Sequence, residues 1–585
     1  MVVDGKVVIY GDPTGQITAA RYVLFTEARR DVVWVGAPLV ARGAAAVVPE
    51  RERALFESPA AFWAAYETGR FHDYSQVNTK VLREPMRVSR TVHEGEVLDL
   101  EGVRVEVMAT PGYTRGAVSY WLEHSGKRIA CTGNLIYGDG QLFDLSSLQD
   151  AVPEAKARGY HGYAARAGEL IESLRKIAAR KPDVLLPARG PIIENPQEAI
   201  ARLIARLQAL LASHFATDAL RWYWGDDNLR IRSQKALDGR PVGSLPMAEQ
   251  RALPEWALPI GNSRLLISRT GAGFLIDAGY LGVRAKLDEL MAQRRVKNVE
   301  GIWITHYHDD HTDYAQALAD HFRCPVYFTP RLADILTQPS HYRMPCLTTA
   351  PITSGKPQPD GTRMRWHEFG FTFFDFPGQT LYHDGLLVER EGGGLFFTGD
   401  SFTPSGIDDY CLQNRDFMRE GEGYLYCLNV LQRLPGNTWL VNQHVDPVFR
   451  FSPEQFTRMR AELLKRTALL KELAPWPDPN FAIDESWAAV DPYGSEARQG
   501  DNLALRVRIL NHVPRRETYR VKWNVPAGWK VVEAAPEVTI PAHQEGEARA
   551  VFRVATAGLH VVTADIEFAG RKLREWTEAL VRVRE

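Results

Sequence analysis

Three histidines and two aspartates fall within six residues at His306-Tyr307-His308-Asp309-Asp310-His311. Imidazole and carboxylate together make a donor set suited to zinc, iron or manganese. The apolar run Gly301-Ile302-Trp303-Ile304-Thr305 just before them reads as a buried strand. A core strand that ends in so many titratable groups must give each one a partner, because a buried polar group left alone is costly. On an extended segment, where side chains alternate, His306 and His308 point the same way, while Asp310 and His311 open the next element. One segment can therefore serve two adjacent metals. His321, His341 and His367 lack ligand spacing and are expected to be surface or core residues.

The string resembles the HxHxDH signature of the metallo-β-lactamase superfamily, and four further segments match that family's motifs in order. Gly273-Phe-Leu-Ile-Asp277-Ala-Gly279 is similar to the early strand that ends in an aspartate behind the metal ligands. Phe376-Pro-Gly-Gln379-Thr380 stands where the family has Pro-Gly-His-Thr. Leu395-Phe-Phe-Thr-Gly399-Asp400 resembles the strand that delivers the bridging aspartate, and Asn442-Gln-His444 stands where the last metal histidine is expected. The resemblance covers about residues 256–472. It implies that His306 and His308 hold a first metal and that Asp310, His311 and His444 hold a second. Asp400 would bridge the two, at roughly 3.5–4 Å separation. Asp310 is further implied as the catalytic group that orients the attacking water. Gln379 occupies the place of the first site's third histidine, and a neutral amide is a weaker zinc donor than imidazole. His383, four residues on, is the alternative, and the choice between Gln379 and His383 stays open.

The cofactor implied is zinc, one or two ions per chain, with iron or manganese as alternatives. The function implied is a metal-dependent hydrolase of an ester, lactone, thioester, amide or phosphoester. Its rivals are an iron-dependent oxygenase or oxidoreductase of the same fold, and a non-catalytic binding protein.

The elements that carry these residues occur twice. Tyr22-Val-Leu-Phe-Thr26 leads into Glu27, Arg29, Asp31 and Val32 in the register in which residues 302–305 lead into the histidine motif. Glu27, Arg29 and Val32 thus stand where the histidines stand later, and only Asp31 persists. Thr110-Pro-Gly-Tyr113-Thr114 parallels Pro377-Gly-Gln379-Thr380, and Asn134 follows Tyr113 by 21 residues, as Asp400 follows Gln379. Arg189 parallels His444. Both series end in a helix-start signature, Asn195-Pro-Gln-Glu198 and Ser452-Pro-Glu-Gln455. The first series resembles a degenerate copy of the same domain, with Glu27, Arg29, Tyr113, Asn134 and Arg189 forming a polar ion-pair cluster in place of metal ligands. It is short at its front, and its first layer is expected to be lost or truncated.

The fold class expected is therefore α/β, with tandem αββα metallo-β-lactamase-like sandwiches followed by an all-β module. The divisions are 1–218 for the degenerate copy, 219–255 for a connector and 256–474 for the metal-binding copy. Pro475-Trp-Pro-Asp-Pro479 reads as a stiff linker. In residues 481–585, Leu503, Leu505, Val507 and Ile509, then Tyr519, Val521 and Trp523, alternate as strands do. About seven short strands resembling an immunoglobulin-like sandwich are expected there.

The 585 residues carry 70 Lys plus Arg against 72 Asp plus Glu, a net charge of −2 that argues against nucleic acid as a partner. No run approaches the length of apolar residues that a membrane span needs. Asp4, Lys6, Asp12, Arg21 and Glu27 interrupt the N-terminus, so no signal peptide is expected as written. The location expected is cytoplasmic by default, and extracytoplasmic if the N-terminus is truncated. The partner expected is a small-molecule substrate, with homo-oligomerisation or docking assigned to the C-terminal module. Cys131, Cys324, Cys346, Cys411 and Cys427 are too scattered for a disulfide framework.

Overall fold

Apolar runs such as Ala272–Ile276 form strands buried on both faces, because only a strand covered on both sides is apolar at every position. In the computed structural model, which describes residues 1–585, this strand belongs to a six-stranded sheet. The sheet runs in chain order through Ala257–Ile260, Ser263–Ile267, Ala272–Ile276, Asn298–Trp303, Val326–Phe328 and Gly355–Pro357. The first two pairings are antiparallel and the next three parallel.

A seven-stranded sheet faces it, in the order Glu249–Arg251, Val448–Arg450, Thr438–Val441, Gly393–Phe397, Asp384–Arg390, Phe369–Asp375, Arg363–Trp366. Leu266, Phe274, Ile276 and Trp303 of the first sheet pack with Phe371, Phe373, Leu386 and Phe397 of the second. The alternate residues Leu265, Leu275 and Ile302 pack outward against Val283, Leu287 and Leu290 of helix Val283–Ala292 and Leu318 of helix Ala315–Phe322. The result is two sheets between helical layers. This unit comprises Arg70–Tyr74 and Leu211–Ala468. Residues 219–255, expected as a connector, are part of it. They carry helix Leu220–Ala236 and the edge strand Glu249–Arg251.

The other unit comprises Met1–Gly69, Ser75–Leu210 and Leu469–Glu585. Its first sheet runs Val2–Val3, Val7–Ile9, Tyr22–Leu24, Ala45–Pro49, Arg90–Val92, with one antiparallel pairing followed by three parallel ones. That is the pattern of the last five strands of the six-stranded sheet, so the layer expected to be lost is present. What has no counterpart is the helix between the second and third strands. The second sheet, Val184–Pro187, Lys127–Gly133, Val118–His124, Val103–Ala109, Val97–Leu100, has the pairing pattern of the last five strands of the seven-stranded sheet, one parallel pairing followed by three antiparallel ones. Val7, Ile9, Leu24 and Val47 pack against Val105, Val107 and Tyr120, while Val8, Val23 and Val48 face Leu39 and Phe56.

The C-terminal residues form a four-stranded and a five-stranded sheet, nine strands rather than about seven. Asn502–Leu510 buries Leu503, Leu505, Val507 and Ile509 as the alternation predicts. The proline run is packed rather than free. Trp476 is buried, its Nε1 donates to the Phe143 carbonyl, and its ring lies 4.8 Å from that of Phe143. The Ser452 cap closes as its spacing predicts, with Ser452 N donating to Gln455 Oε1 at 2.8 Å and Gln455 N to Ser452 Oγ at 3.3 Å. All five cysteines are free and buried. No helix is long and apolar enough to cross a membrane.

Candidate metal centre

The histidine motif hangs from the buried end of strand Asn298–Trp303 and is held there by Asp277. That residue, at φ +62°, ends the neighbouring strand and is fully buried. Its carboxylate accepts from Thr305 N at 2.7 Å, from Thr305 Oγ1 at 2.8 Å and from His311 Nδ1 at 2.9 Å. Fixing Nδ1 leaves Nε2 of His311 to face the centre, the usual way a buried carboxylate selects the ligating nitrogen. Two residues on, Gly279 lies against the backbone of the motif. A Cβ there would sit 1.9 Å from the Asp310 carbonyl carbon, so only glycine fits.

The donors converge on Asp400 Oδ2. It lies 3.1 Å from His444 Nε2, 3.4 Å from His311 Nε2 and 3.9 Å from His306 Nε2. Asp310 adds a second carboxylate, 3.1 Å from His444 Nε2 and 3.5 Å from His311 Nε2. Two triads suited to a metal result, His306–His311–Asp400 and Asp310–His311–His444. His308 Nδ1 is 2.8 Å from His306 Nε2, and its Nε2 is 3.2 Å from Asn414 Oδ1. The loop that carries His444 is fixed by the buried Arg264, whose Nη2 donates to the carbonyls of Asn442 and Val445 at 3.3 and 2.9 Å.

His383, like His308, is in neither triad, and Gln379 N donates to Ser401 Oγ at 3.1 Å. The ring of His383 stacks on that of His306 at 4.8 Å, with its Nε2 3.3 Å from Ser401 Oγ. Gln379 Nε2 donates to Asp408 Oδ2 at 3.1 Å.

Sequence reasoning missed several polar neighbours. Asn262 Nδ2 donates to Asp310 Oδ2 at 2.9 Å, and the buried Asp408 accepts from both Gln379 and Tyr410. Asn414 faces His308, and His72 and Tyr74 reach Asp309. Apart from Tyr410 and Asp408, two residues apart, none lies near its partner in sequence, and the only available signal was a polar residue inside an apolar stretch.

The charges suit a cation. Burial drives His306 well below the ordinary histidine range, helped by His311 and His308, and holds His308 at about 4 and His383 at about 3. These three rings are neutral donors. Burial also disfavours charge on His444 and His311, but the aspartates outweigh it. Asp400 and Asp310 raise His444 to about 10, and the same two carboxylates with Asp277 raise His311 well above its usual value. Protons on these two rings balance the two carboxylates, and a divalent cation can replace them. Asp400 Oδ1 is buried with no hydrogen-bond partner, a further donor atom consistent with a metal.

In the other unit Glu27, Arg29, Asp31, Tyr113, Asn134 and Arg189 form a polar cluster. Asp31 accepts from Arg29 Nη2 at 3.0 Å and Arg189 Nη2 at 2.5 Å. The Arg29 guanidinium lies 4.8 Å over the Tyr113 ring, Tyr113 donates to Asp144, and Asn134 donates to Glu27. Burial pushes Glu27 up to about 8, against the pull of Arg29.

Residues 259–411 match the metallo-beta-lactamase superfamily, and this part of the chain is a domain of that superfamily. The chain is 28% identical over 148 residues to a hydroxyacylglutathione hydrolase of Marinomonas sp. (strain MWYL1), covering 25% of this chain and 48% of that protein. A hydroxyacylglutathione hydrolase of Brucella anthropi is 32% identical over 168 residues, 26% of this chain and 58% of that one. An atrochrysone carboxyl ACP thioesterase of Passalora fulva is 26% identical over 164 residues, 24% of this chain and 49% of that one. The chain spans about half the length of these curated relatives.

Proposed function

We propose that residues 256–474 form a metal-dependent hydrolase whose metal is zinc and whose substrate is an acyl thioester. The observation that carries the reading is the convergence of three imidazole nitrogens within 3.1–3.9 Å of one carboxylate oxygen, Asp400 Oδ2. Four histidines and two carboxylates suit zinc, and His306, His308, Asp310, His311, Asp400 and His444 would hold it. When bound, zinc supplies Lewis acidity and brings the pKa of water to about 7. Gln379 or His383 would complete the first site.

The chain's own residues divide the remaining work. His306, His308 and His311 form a buried floor, whereas the side chains of Asp310 and His444 are 35% and 28% exposed. Substrate therefore approaches across Asp310 and His444. Asp310, tethered by Asn262, accepts a hydrogen bond from the attacking water and aims its lone pair at the acyl carbon. The thioester class rests on the relatives named above, two of which act on hydroxyacylglutathione and one of which is a thioesterase.

The repeated strand order and the Arg29–Asp31–Arg189 cluster support reading the N-terminal sheets as a second domain of this type, its ligand positions converted to ion pairs. The paired C-terminal sheets support an immunoglobulin-like module for docking. The test is metal analysis of the full chain with a panel of acyl thioesters, lactones and esters. Stoichiometric zinc with thioester turnover that His311→Ala abolishes is expected. Stoichiometric iron with oxygen consumption and no hydrolysis would refute the reading.

A further inference from the structure

For five residues, Arg70–Tyr74, the chain joins the metal-binding unit, between two stretches that belong to the other unit. The segment lies one layer behind the histidine motif. His72 N donates to the Leu347 carbonyl at 3.0 Å, and Cys346 N donates to the Asp73 carbonyl at 3.1 Å. Residues 346–347 in turn pair with the motif itself. Asp309 N donates to the Cys346 carbonyl at 2.8 Å, and His308 forms a bridge with Leu347. Arg70 anchors the start of the segment on the carbonyls of Tyr342 and Ser340, at 2.6 and 2.9 Å.

The side chains make a second connection. Asp309 is 4% exposed and lies between His308 and Asp310. Its Oδ1 accepts from Tyr74 Oη at 2.8 Å and from Asp310 N at 2.8 Å, and its Oδ2 is 2.7 Å from His72 Nδ1. A buried carboxylate keeps its place only while its hydrogen bonds hold. Because this one also caps the Asp310 amide, its place sets the path of the backbone between two donor residues.

We propose that His72 and Tyr74 are positioning residues for the metal centre, acting through Asp309. The proposal rests on the metal-site reading above. Without the two side chains Asp309 turns toward solvent, the Asp310 amide loses its cap, and His308 and Asp310 no longer hold their spacing.

The experiment uses the full chain: wild type, Tyr74→Phe, His72→Ala, His72→Asn and the double variant His72→Ala/Tyr74→Phe. Zinc affinity is measured by competition with a chromophoric chelator, alongside the visible spectrum of the cobalt-loaded protein and the melting of the metal-free protein. Loss of supporting groups behind a ligand costs roughly 10–100-fold in metal affinity, and the double variant is expected to weaken binding by about that factor. Tyr74→Phe alone, which removes one oxygen and spares the fold, should cost roughly fivefold, as one ordinary hydrogen bond supports. His72→Asn, whose amide can donate to Asp309 as Nδ1 does, should recover most of the loss seen in His72→Ala. A shifted cobalt spectrum with metal-free melting within a few degrees of wild type supports positioning. Wild-type affinity and spectrum in the double variant overturn the proposal while leaving the metal-site reading intact. A wild-type chain that takes up no zinc or cobalt overturns both.

Discussion

Replacing Gly279 by alanine should empty the metal centre while leaving the sheets standing. The ideal Cβ would lie 1.9 Å from the Asp310 carbonyl carbon, 2.1 Å from its oxygen and 2.2 Å from His311 N. Carbon–carbon contacts settle near ~3.5 Å, so the motif must retreat by roughly 1.5 Å. Neither side of the contact can yield as a flexible side chain would, since both are backbone. Two hydrogen bonds tie the same strands together, Ala278 N to the His311 carbonyl and Tyr314 N to the Ala278 carbonyl, both 2.8 Å. Losing them costs about 1 kcal/mol each, so a destabilisation of roughly 2–3 kcal/mol is expected. Where no clash exists, Gly→Ala stabilises by about 0.4–1 kcal/mol, so the sign alone is informative. A displacement of about 1 Å at a reacting centre can cost 10²-fold in rate, and metal content should fall with it. Zinc content after dialysis and thermal melting are the assays, with Gly436→Ala as control because a Cβ there meets nothing within 4 Å. Wild-type zinc content and melting in Gly279→Ala would refute the steric reasoning.

Four further outcomes are expected. His308→Ala should lower bound zinc and abolish turnover, because its ring meets His306 at 2.8 Å, whereas His341→Ala, outside the histidine motif, should change neither when metal content and rate are measured together. Gln379→His should raise zinc toward two per chain, because imidazole replaces an amide at the edge of the centre; loss of metal in His383→Ala but not in Gln379→Ala would instead assign the ligand to His383. The full chain carrying His311→Ala and Asp310→Ala should hold no transition metal after dialysis, since Arg29 and Arg189 put permanent cations at the other centre; stoichiometric zinc in that variant would sink the claim. Glu27 keeps its proton in the folded state up to about pH 8 but releases it near its ordinary value of 4.5 when unfolded. Stability should therefore fall as pH rises through that window, by at most about 1.4 kcal/mol per pH unit. Glu27→Gln should flatten this slope in denaturant titrations at pH 5 and pH 8, and an unchanged slope would show that Glu27 is ionised in the fold.

Much of the centre was legible because its chemistry is written in short, contiguous strings. His306, His308, Asp310 and His311 share one turn of chain, and Asp277 and Asp400 each end an apolar strand whose burial is visible in its composition. The equal spacings of 21 residues, Tyr113 to Asn134 and Gln379 to Asp400, are likewise readable along the chain, because strand lengths answer to the core. Residues 219–255 show no clear periodicity because their helical stretch Leu220–Ala236 is broken at Gly225, at φ +76°. Proline rules out helix in the run 475–479 without saying whether the tryptophan beside it finds a pocket.

By itself the sequence determined the donor types, their order along the chain and the strands that end in them, all properties of residues within a few peptide bonds of one another. Tertiary structure decided what joins across tens to hundreds of residues. It placed His72 and Tyr74 on Asp309, Asn262 on Asp310, Arg264 under the His444 loop, and Gln379 against Asp408. A hydrogen bond forms wherever packing brings a donor within about 3 Å of an acceptor. That meeting is set by how two sheets and their helices close on a shared core, so no local spacing records it.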